Sequence, residues 1–245
     1  MSVGNVELSL VLPAYNEAAR LPPYLAAVRS YLESRYPARY EVIVVDDGSR
    51  DGMPAMLKAI AADWPELHVI RNPQNLGKGA AVRAGMLAAR GRRWLFADAD
   101  GAAPIEEEGR LAEVLAAGAD LAVGSRLLGG SDRRRSRNWL RGLVGRLFAG
   151  LARSLLRVAV RDPQCGMKMF RAAAGGQLFQ RVREPRYLFD LELLVLAQQL
   201  GYRCVEVPIS WREIPGGHLH LLRDLPGVLA GLWRLRQRLH PPRRR

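Results

Sequence analysis

Two carboxylates at alternate positions, Asp98 and Asp100, end the stretch Trp94-Leu95-Phe96-Ala97-Asp98-Ala99-Asp100-Gly101. The apolar residues before them read as a buried strand. In an extended chain, side chains two residues apart point the same way, so both acids can converge on one point past the strand's end. Hard oxygen ligands of this kind suit Mg²⁺ or Mn²⁺ carrying a diphosphate, because such ions take carboxylates together with phosphate oxygens. The same residue types also make an ordinary solvated turn. Asp-x-Asp alone does not choose between these readings, so the surrounding chain must.

A scaffold has to hold such a pair. Leu8 to Leu12 is a short apolar strand ended by Pro13-Ala14-Tyr15-Asn16-Glu17, and Asn16 is expected to cap a helix running to about Glu33. Glu41 to Val45 is continuous in β-branched residues, as strands buried on both faces are. It runs into Asp46-Asp47-Gly48-Ser49, after which Asp51 can cap the next helix. Leu67 to Ile70 is a third strand. Asn75-Leu76-Gly77-Lys78-Gly79 then opens an alanine-rich helix to Arg90. The fourth strand ends at the Asp pair, and a helix from Glu106 to Ala117 precedes a fifth strand at Leu121-Ala122-Val123. Strand, loop, helix, repeated, predicts a mostly parallel open sheet with helices on both faces. Every unusual loop follows the C-terminal end of a strand, the edge where such sheets bind ligands.

The 245 residues carry a formal net charge of +13, nearly all the positive charge being Arg, with a pI near 10.7. That excess points to an anionic partner: nucleic acid, an acidic membrane surface or a phosphorylated substrate. Two cysteines, Cys165 and Cys204, make no disulfide framework and suit a reducing compartment. Met1 to Glu7 lacks the pattern of a secretory signal, and no uncharged apolar run approaches ~18 residues. The expected location is cytoplasmic, peripheral on the inner face of a membrane.

Two further segments carry apolar residues at helical spacing interleaved with Arg. Residues 129–161 contain the basic run Arg133-Arg134-Arg135-Ser136-Arg137 and an apolar series from Trp139 to Leu156. Leu219 to Leu239 holds Leu225, Val228, Leu229, Leu232 and Trp233 before Arg234, Arg236 and Arg238. Basic amphipathic helices with Trp on the apolar side suit an anionic membrane surface, although the same pattern also packs on a protein's own core. The tail 241–245 reads as disordered. The expected organisation is a catalytic domain over 1–217, with 129–161 as a basic acceptor- or membrane-facing insertion, followed by an amphipathic helix and tail over 218–245.

Several motifs then align in order: Leu-Pro-Ala-Tyr-Asn-Glu at 12–17, Val-Asp-Asp-Gly-Ser at 45–49, Asn-Leu-Gly-Lys-Gly at 75–79 and Asp-Ala-Asp-Gly-Ala at 98–102. Gly-Ser-Arg at 124–126, Gln-Cys-Gly-Met-Lys-Met-Phe at 164–170, Phe-Asp-Leu-Glu-Leu-Leu at 189–194 and Trp211-Arg212-Glu213 follow. From about Leu8 to Leu219 the sequence resembles the family 2 glycosyltransferases, specifically the polyprenyl-phosphate branch of dolichyl-phosphate glucosyl- and mannosyltransferases.

That resemblance implies a GT-A type nucleotide-sugar-binding fold. Pro13, Tyr15, Glu17, Val45 and Asp47 would border the nucleoside. Asp98, Ala99 and Asp100 would meet the diphosphate and its Mg²⁺ or Mn²⁺, with Asp98 and Asp100 as metal ligands. Lys78, Arg126 and Arg212 would face donor phosphate. At the position of a family lysine this chain has His218, an imidazole only partly charged at neutral pH. Lys78 sits in no Walker loop, since the earlier Gly is absent and Gly79 replaces Ser/Thr.

The implied reaction inverts the anomeric centre while moving a hexose, glucose before mannose, from a nucleoside diphosphate sugar, UDP before GDP, to a polyprenyl monophosphate. Arg133, Arg134, Arg135 and Arg137 are the candidates for holding the acceptor phosphate. Asp190 is expected to orient rather than to act as a base, and Gln164-Cys165-Gly166 to shape the floor. Three other readings stand beside this one. They are a same-fold enzyme with a soluble sugar or glycan acceptor, a non-catalytic membrane-bound nucleotide-sugar binder, and a nucleic-acid-binding protein. The last is disfavoured because no nucleic-acid module is present and aromatics do not interleave the basic run.

Overall fold

The computed structural model describes residues 6–128, 133–134, 150–212, 214 and 221–239, with backbone alone at 133–134 and 221–226. The apolar runs form β1 (Leu8–Ala14), β2 (Tyr40–Asp46), β3 (Leu67–Arg71), β4 (Arg93–Ala97) and β5 (Leu121–Ser125). Between them lie α1 (Leu21–Arg35), α2 (Met53–Ala62), α3 (Lys78–Ala88) and α4 (Glu108–Ala116). The later chain adds α5 (150–156), β7 (Met167–Arg171), α6 (Ala172–Arg181), α7 (Phe189–Gln199), β8 (Cys204–Pro208) and α8 (Leu221–Leu239). A two-residue strand β6 (Arg133–Arg134) pairs in parallel with β9 (Trp211–Arg212).

The seven-stranded sheet has the order β3-β2-β1-β4-β7-β5-β8. The sheet is mostly parallel, as expected, with one antiparallel strand. β7, which the alternation of the first half did not suggest, lies between β4 and β5 and is antiparallel to both. β4 and β5 are therefore not neighbours. The register pairs Ala97 with Met167, so the residue entering β7, Gly166, arrives beside the residue leaving β4, Asp98.

Period-two alternation splits the core between two faces. Leu8, Leu10 and Leu12 of β1 pack with α1, α2 and α4, and the intervening Val11 packs with α3. The second face also takes α5, α6, α7 and α8, and contains Phe96, Phe170, Phe179 and Phe189. α3 lies close on β1 because Gly85 has no side chain there; a Cβ would stand 2.4 Å from Val11 Cγ1.

One local reading changes and another holds. Asn16 does not cap α1, which begins at Leu21 with prolines in its first turn, where a missing N–H costs nothing. Asn16 instead takes a positive φ of 55° and joins two loops: its N–H donates to Ser49 Oγ at 2.9 Å, and its Oδ1 accepts from Arg50 N at 2.9 Å. Asp51 does serve the start of α2, its Oδ1 accepting from Met53 N at 3.1 Å.

α8 packs on the second core face. Leu232 and Leu235 are fully buried, Arg238 Nη2 donates to the buried Glu192 at 2.7 Å, and Arg236 Nη1 donates to Leu155 O at 2.9 Å. Leu229 and Trp233, one turn apart, stay 41% and 55% exposed. Among the described residues, no helix is long and apolar enough to cross a membrane. The two sides of α8 should separate in urea denaturation. Leu232→Ala or Leu235→Ala is expected to lower stability by about 2–5 kcal/mol, and Leu229→Ala by under about 0.5 kcal/mol. Equal losses would show that α8 is not docked through the Leu232 side.

Candidate active site at the sheet edge

The C-terminal ends of β1, β2 and β4 share one edge with the start of β7. Their loops enclose a cleft of about 290 Å³. Of the residues singled out in the sequence, Pro13, Tyr15, Glu17, Asp47, Lys78, Asp98, Ala99 and Asp100 line it. Asn75 and Gly77 of the 75–79 motif line it too, and so do Arg20, Arg186 and Tyr187, which the motifs had not marked.

Asp98 is placed by its contact with β7. Its N–H donates to Gly166 O at 2.9 Å, and a Cβ on Gly166 would stand 2.0 Å from Asp98 Oδ2. Only glycine fits there. On its other side, Asp98 Oδ1 lies 2.5 Å from Lys78 Nζ. Burial alone would lower the Lys78 pKa, but Asp98 and Asp190 outweigh it and hold the ammonium charged. Asp100 follows in a tight turn. Its Oδ1 accepts from Ala102 N at 3.0 Å, and Gly101 lies over the Tyr24 ring with φ 69°. Burial and, beyond it, the Asp98 charge push the Asp100 carboxyl above its ordinary range, against the opposing Ala102 amide.

This donor set fits a divalent cation. Two hard oxygen donors face one cleft, and a cation between them would relieve the repulsion that raises Asp100. Among the described residues, no three His, Cys, Asp or Glu side chains converge. A bound ion would therefore take its remaining oxygens from phosphate or water.

Other residues stand differently from the expectation. Val45 does not line the cleft; it is fully buried, and a Cβ on Gly85 of α3 would meet its Cγ2 at 2.9 Å. The Asp47 carboxylate accepts from Asn72 Nδ2 at 2.7 Å, Leu76 N at 3.0 Å and Gly77 N at 2.8 Å, which ties the loop before α3 to the end of β2. Gly77 and Gly79 allow the 184–187 segment to lie against α3. Cβ atoms there would stand 2.5 Å from Pro185 O and 2.4 Å from Glu184 O.

Arg126 lies outside the cleft lining. It is bound twice by Asp162, with Nε and Nη2 each at 2.8 Å, and stacks over Trp211 at 5.4 Å. Asp190 also lies behind the lining, buried, with Lys168 Nζ 2.5 Å from its Oδ1. Lys168 is fully buried, donates to Cys165 O at 2.7 Å and sits over the Phe96 ring at 5.2 Å. The Cys165 thiol is free and buried, and burial pushes its pKa up to about 11. Arg212 is exposed at the rim, its N–H donating to Ala102 O at 2.9 Å. The strand Arg133–Arg134 runs beside it. Arg135, Arg137, His218 and the tail 241–245 lie outside the described residues.

Solved structures share this fold. Glucosyl-3-phosphoglycerate synthase from Mycobacterium tuberculosis, in complex with UDP, matches with a TM-score of 0.67 at 24% identity, over 94% of this chain and 80% of that one. A mannosyltransferase from Pyrobaculum calidifontis, in complex with GDP-Man and Mn²⁺, matches with a TM-score of 0.61 at 18% identity, over 97% and 71%. The fold is thus of the GT-A type, an α/β architecture built around a mostly parallel mixed sheet. Curated relatives include the dolichyl-phosphate beta-glucosyltransferases of Drosophila melanogaster and Homo sapiens. They are 36% and 35% identical, each over 94% of this chain and 78% of the relative. Residues 9–179 match the description of glycosyl transferase family 2, and the chain belongs to that family.

A carboxyl whose folded pKa lies above its unfolded value destabilises the fold above that window and has no effect below it. Asp100→Asn is accordingly expected to raise the thermal midpoint at pH 7, with the gain shrinking as pH falls toward the ordinary Asp range near 3.8. A lowered midpoint at pH 7 would show that Asp100 is not held under this strain.

Proposed function

We propose that this glycosyltransferase moves glucose from UDP-glucose to a polyprenyl monophosphate at the cytoplasmic surface of a membrane, with inversion at the anomeric carbon. The observation that carries the acceptor assignment is the β6–β9 pair. It lays Arg133–Arg134 beside Trp211–Arg212, and Arg212 is hydrogen-bonded to Ala102, two residues past Asp100. A basic strand beside the diphosphate end of the cleft suits a second phosphate. The dolichyl-phosphate beta-glucosyltransferase relatives, aligned over nearly the whole chain, support the same choice.

In this reading Pro13, Tyr15 and Glu17 border the nucleoside, and Asp47 fixes the loop that carries Lys78. Asp98 and Asp100 hold Mg²⁺ or Mn²⁺, which when bound neutralises charge on the departing diphosphate. Lys78 and Arg212 add positive charge around that leaving group, Arg126 stays on Asp162 outside the cleft lining, and position and electrostatics supply most of the acceleration. A phosphate monoester has a second pKa near ~6, so its oxygen is already an anionic nucleophile at neutral pH. No base is then required. The burial of Asp190 and its pairing with Lys168 support a positioning role behind Asp98. Arg133, Arg134, Arg135 and Arg137 receive the acceptor phosphate. The exposed Leu229 and Trp233, flanked by the exposed Arg234, rest on an anionic membrane surface.

The test incubates the full chain with vesicles containing polyprenyl phosphate and a panel of radiolabelled nucleotide sugars, then extracts lipid-linked product. Transfer from UDP-glucose is expected, about 10²–10³-fold weaker in Asp100→Asn. Gly166→Ala, which displaces the Asp98 carboxylate, is expected to lose about 10²-fold with the fold retained. Transfer only to soluble sugars would overturn the acceptor assignment. Loss of all turnover in a folded Asp190→Asn would overturn the mechanism without a base.

A further inference from the structure

Lys78 occupies the place on Asp98 that a metal would need. Its Nζ lies 2.5 Å from Oδ1, and the Lys78 side chain is only 23% exposed. A divalent ion of this class coordinates oxygen at about 2.0–2.1 Å, so an ion on Oδ1 would stand close against the ammonium's positive charge. The remaining acids near Lys78 do not hold it elsewhere: Asp190 is engaged by Lys168, and Asp100 by the Ala102 amide. Lys78 is also the first residue of α3, where the helix end favours an arriving anion. An anionic diphosphate entering the cleft would offer the flexible ammonium a better partner than one carboxylate oxygen.

From this geometry we infer that Lys78 is a resident counter-ion that keeps Asp98 closed to the divalent cation until the donor diphosphate draws it away, so that metal and donor load together. The inference rests on the donor reading proposed above, but it fails separately. Without nucleotide, the cleft is neutralised by its own lysine and binds the ion weakly. With nucleotide, the phosphates take the lysine, and Asp98 and Asp100 become available as a pair. Lys78 thereby positions Asp98, and it disfavours occupation of the cleft by a metal with no substrate to activate.

The test is Mn²⁺ binding to the full chain, followed by electron paramagnetic resonance, with and without UDP. In the wild type, UDP is expected to tighten Mn²⁺ binding at least about tenfold. Lys78→Met, checked for folding by its thermal midpoint, is expected to bind Mn²⁺ at least about tenfold tighter than wild type without UDP, and to gain less when UDP is added. Lys58→Met removes an exposed cation of α2 outside the cleft, and is expected to change nucleotide-free binding by less than about threefold. Wild-type binding that is equally tight with and without UDP would overturn the inference, as would a Lys78→Met protein that binds no tighter. Either result leaves the donor assignment in place. A wild type that binds no Mn²⁺ even with UDP, and no UDP itself, would instead sink that assignment.

Discussion

The site depends on one close approach, that of Gly166 to Asp98. Because β7 enters the sheet antiparallel beside β4, the chain arriving at the ligand edge meets the chain leaving it. The Asp98 amide is satisfied by the Gly166 carbonyl, and the Asp98 carboxylate fills the space a side chain at 166 would take. A shift of β7 along β4 would therefore move the acid as well as the strand. Asp98 is held by the sheet itself, with the precision a packed core gives, and Asp100 follows it in a tight turn.

Around that contact the charges stand in resident pairs: Lys78 with Asp98, Lys168 with Asp190, Arg126 with Asp162, and Arg20 with Glu17. Pairs of this kind, partly exposed or, for Lys168–Asp190, buried, add little net stability, because screening or desolvation offsets most of their attraction. Their effect here is geometric. Each cation is held in a defined position by its own carboxylate. Lys168 shows the cost most plainly, since its ammonium is fully buried and, among the described residues, meets Asp190, the Cys165 carbonyl and the face of Phe96.

Much of this was legible in the chain. The five apolar runs became strands at nearly the expected bounds, because β-branched and aliphatic runs ended by Asp, Asn or Gly carry a local signal. The Asp98/Asp100 pair, Lys78 and the 13–17 loop do share one cleft. What escaped has a nonlocal cause. β7 alternates Met167 and Met169 on one face with Lys168 and Phe170 on the other, and a lysine facing inward hid the pattern until Asp190 was seen to pair with it. Asn16 looked like a cap because its type suits one, yet it is held by a loop thirty-odd residues away. Val45 stood inside a motif, and only the pleat decides which face it takes. Arg20, Arg186 and Tyr187 have no distinctive spacing; they reach the cleft because the chain folds them there.

The back of the cleft has a consequence for the C-terminal helix. Gly231 of α8 lies so close to Leu188 that a Cβ would stand 2.8 Å from its Cδ1. Leu188 closes the segment whose Pro185 carbonyl accepts from Ala80 N at 3.0 Å and presses against Gly77. The outer helix thus packs directly on the wall that covers the first turn of α3, so a side chain added at Gly231 would press on Leu188 and the segment before it.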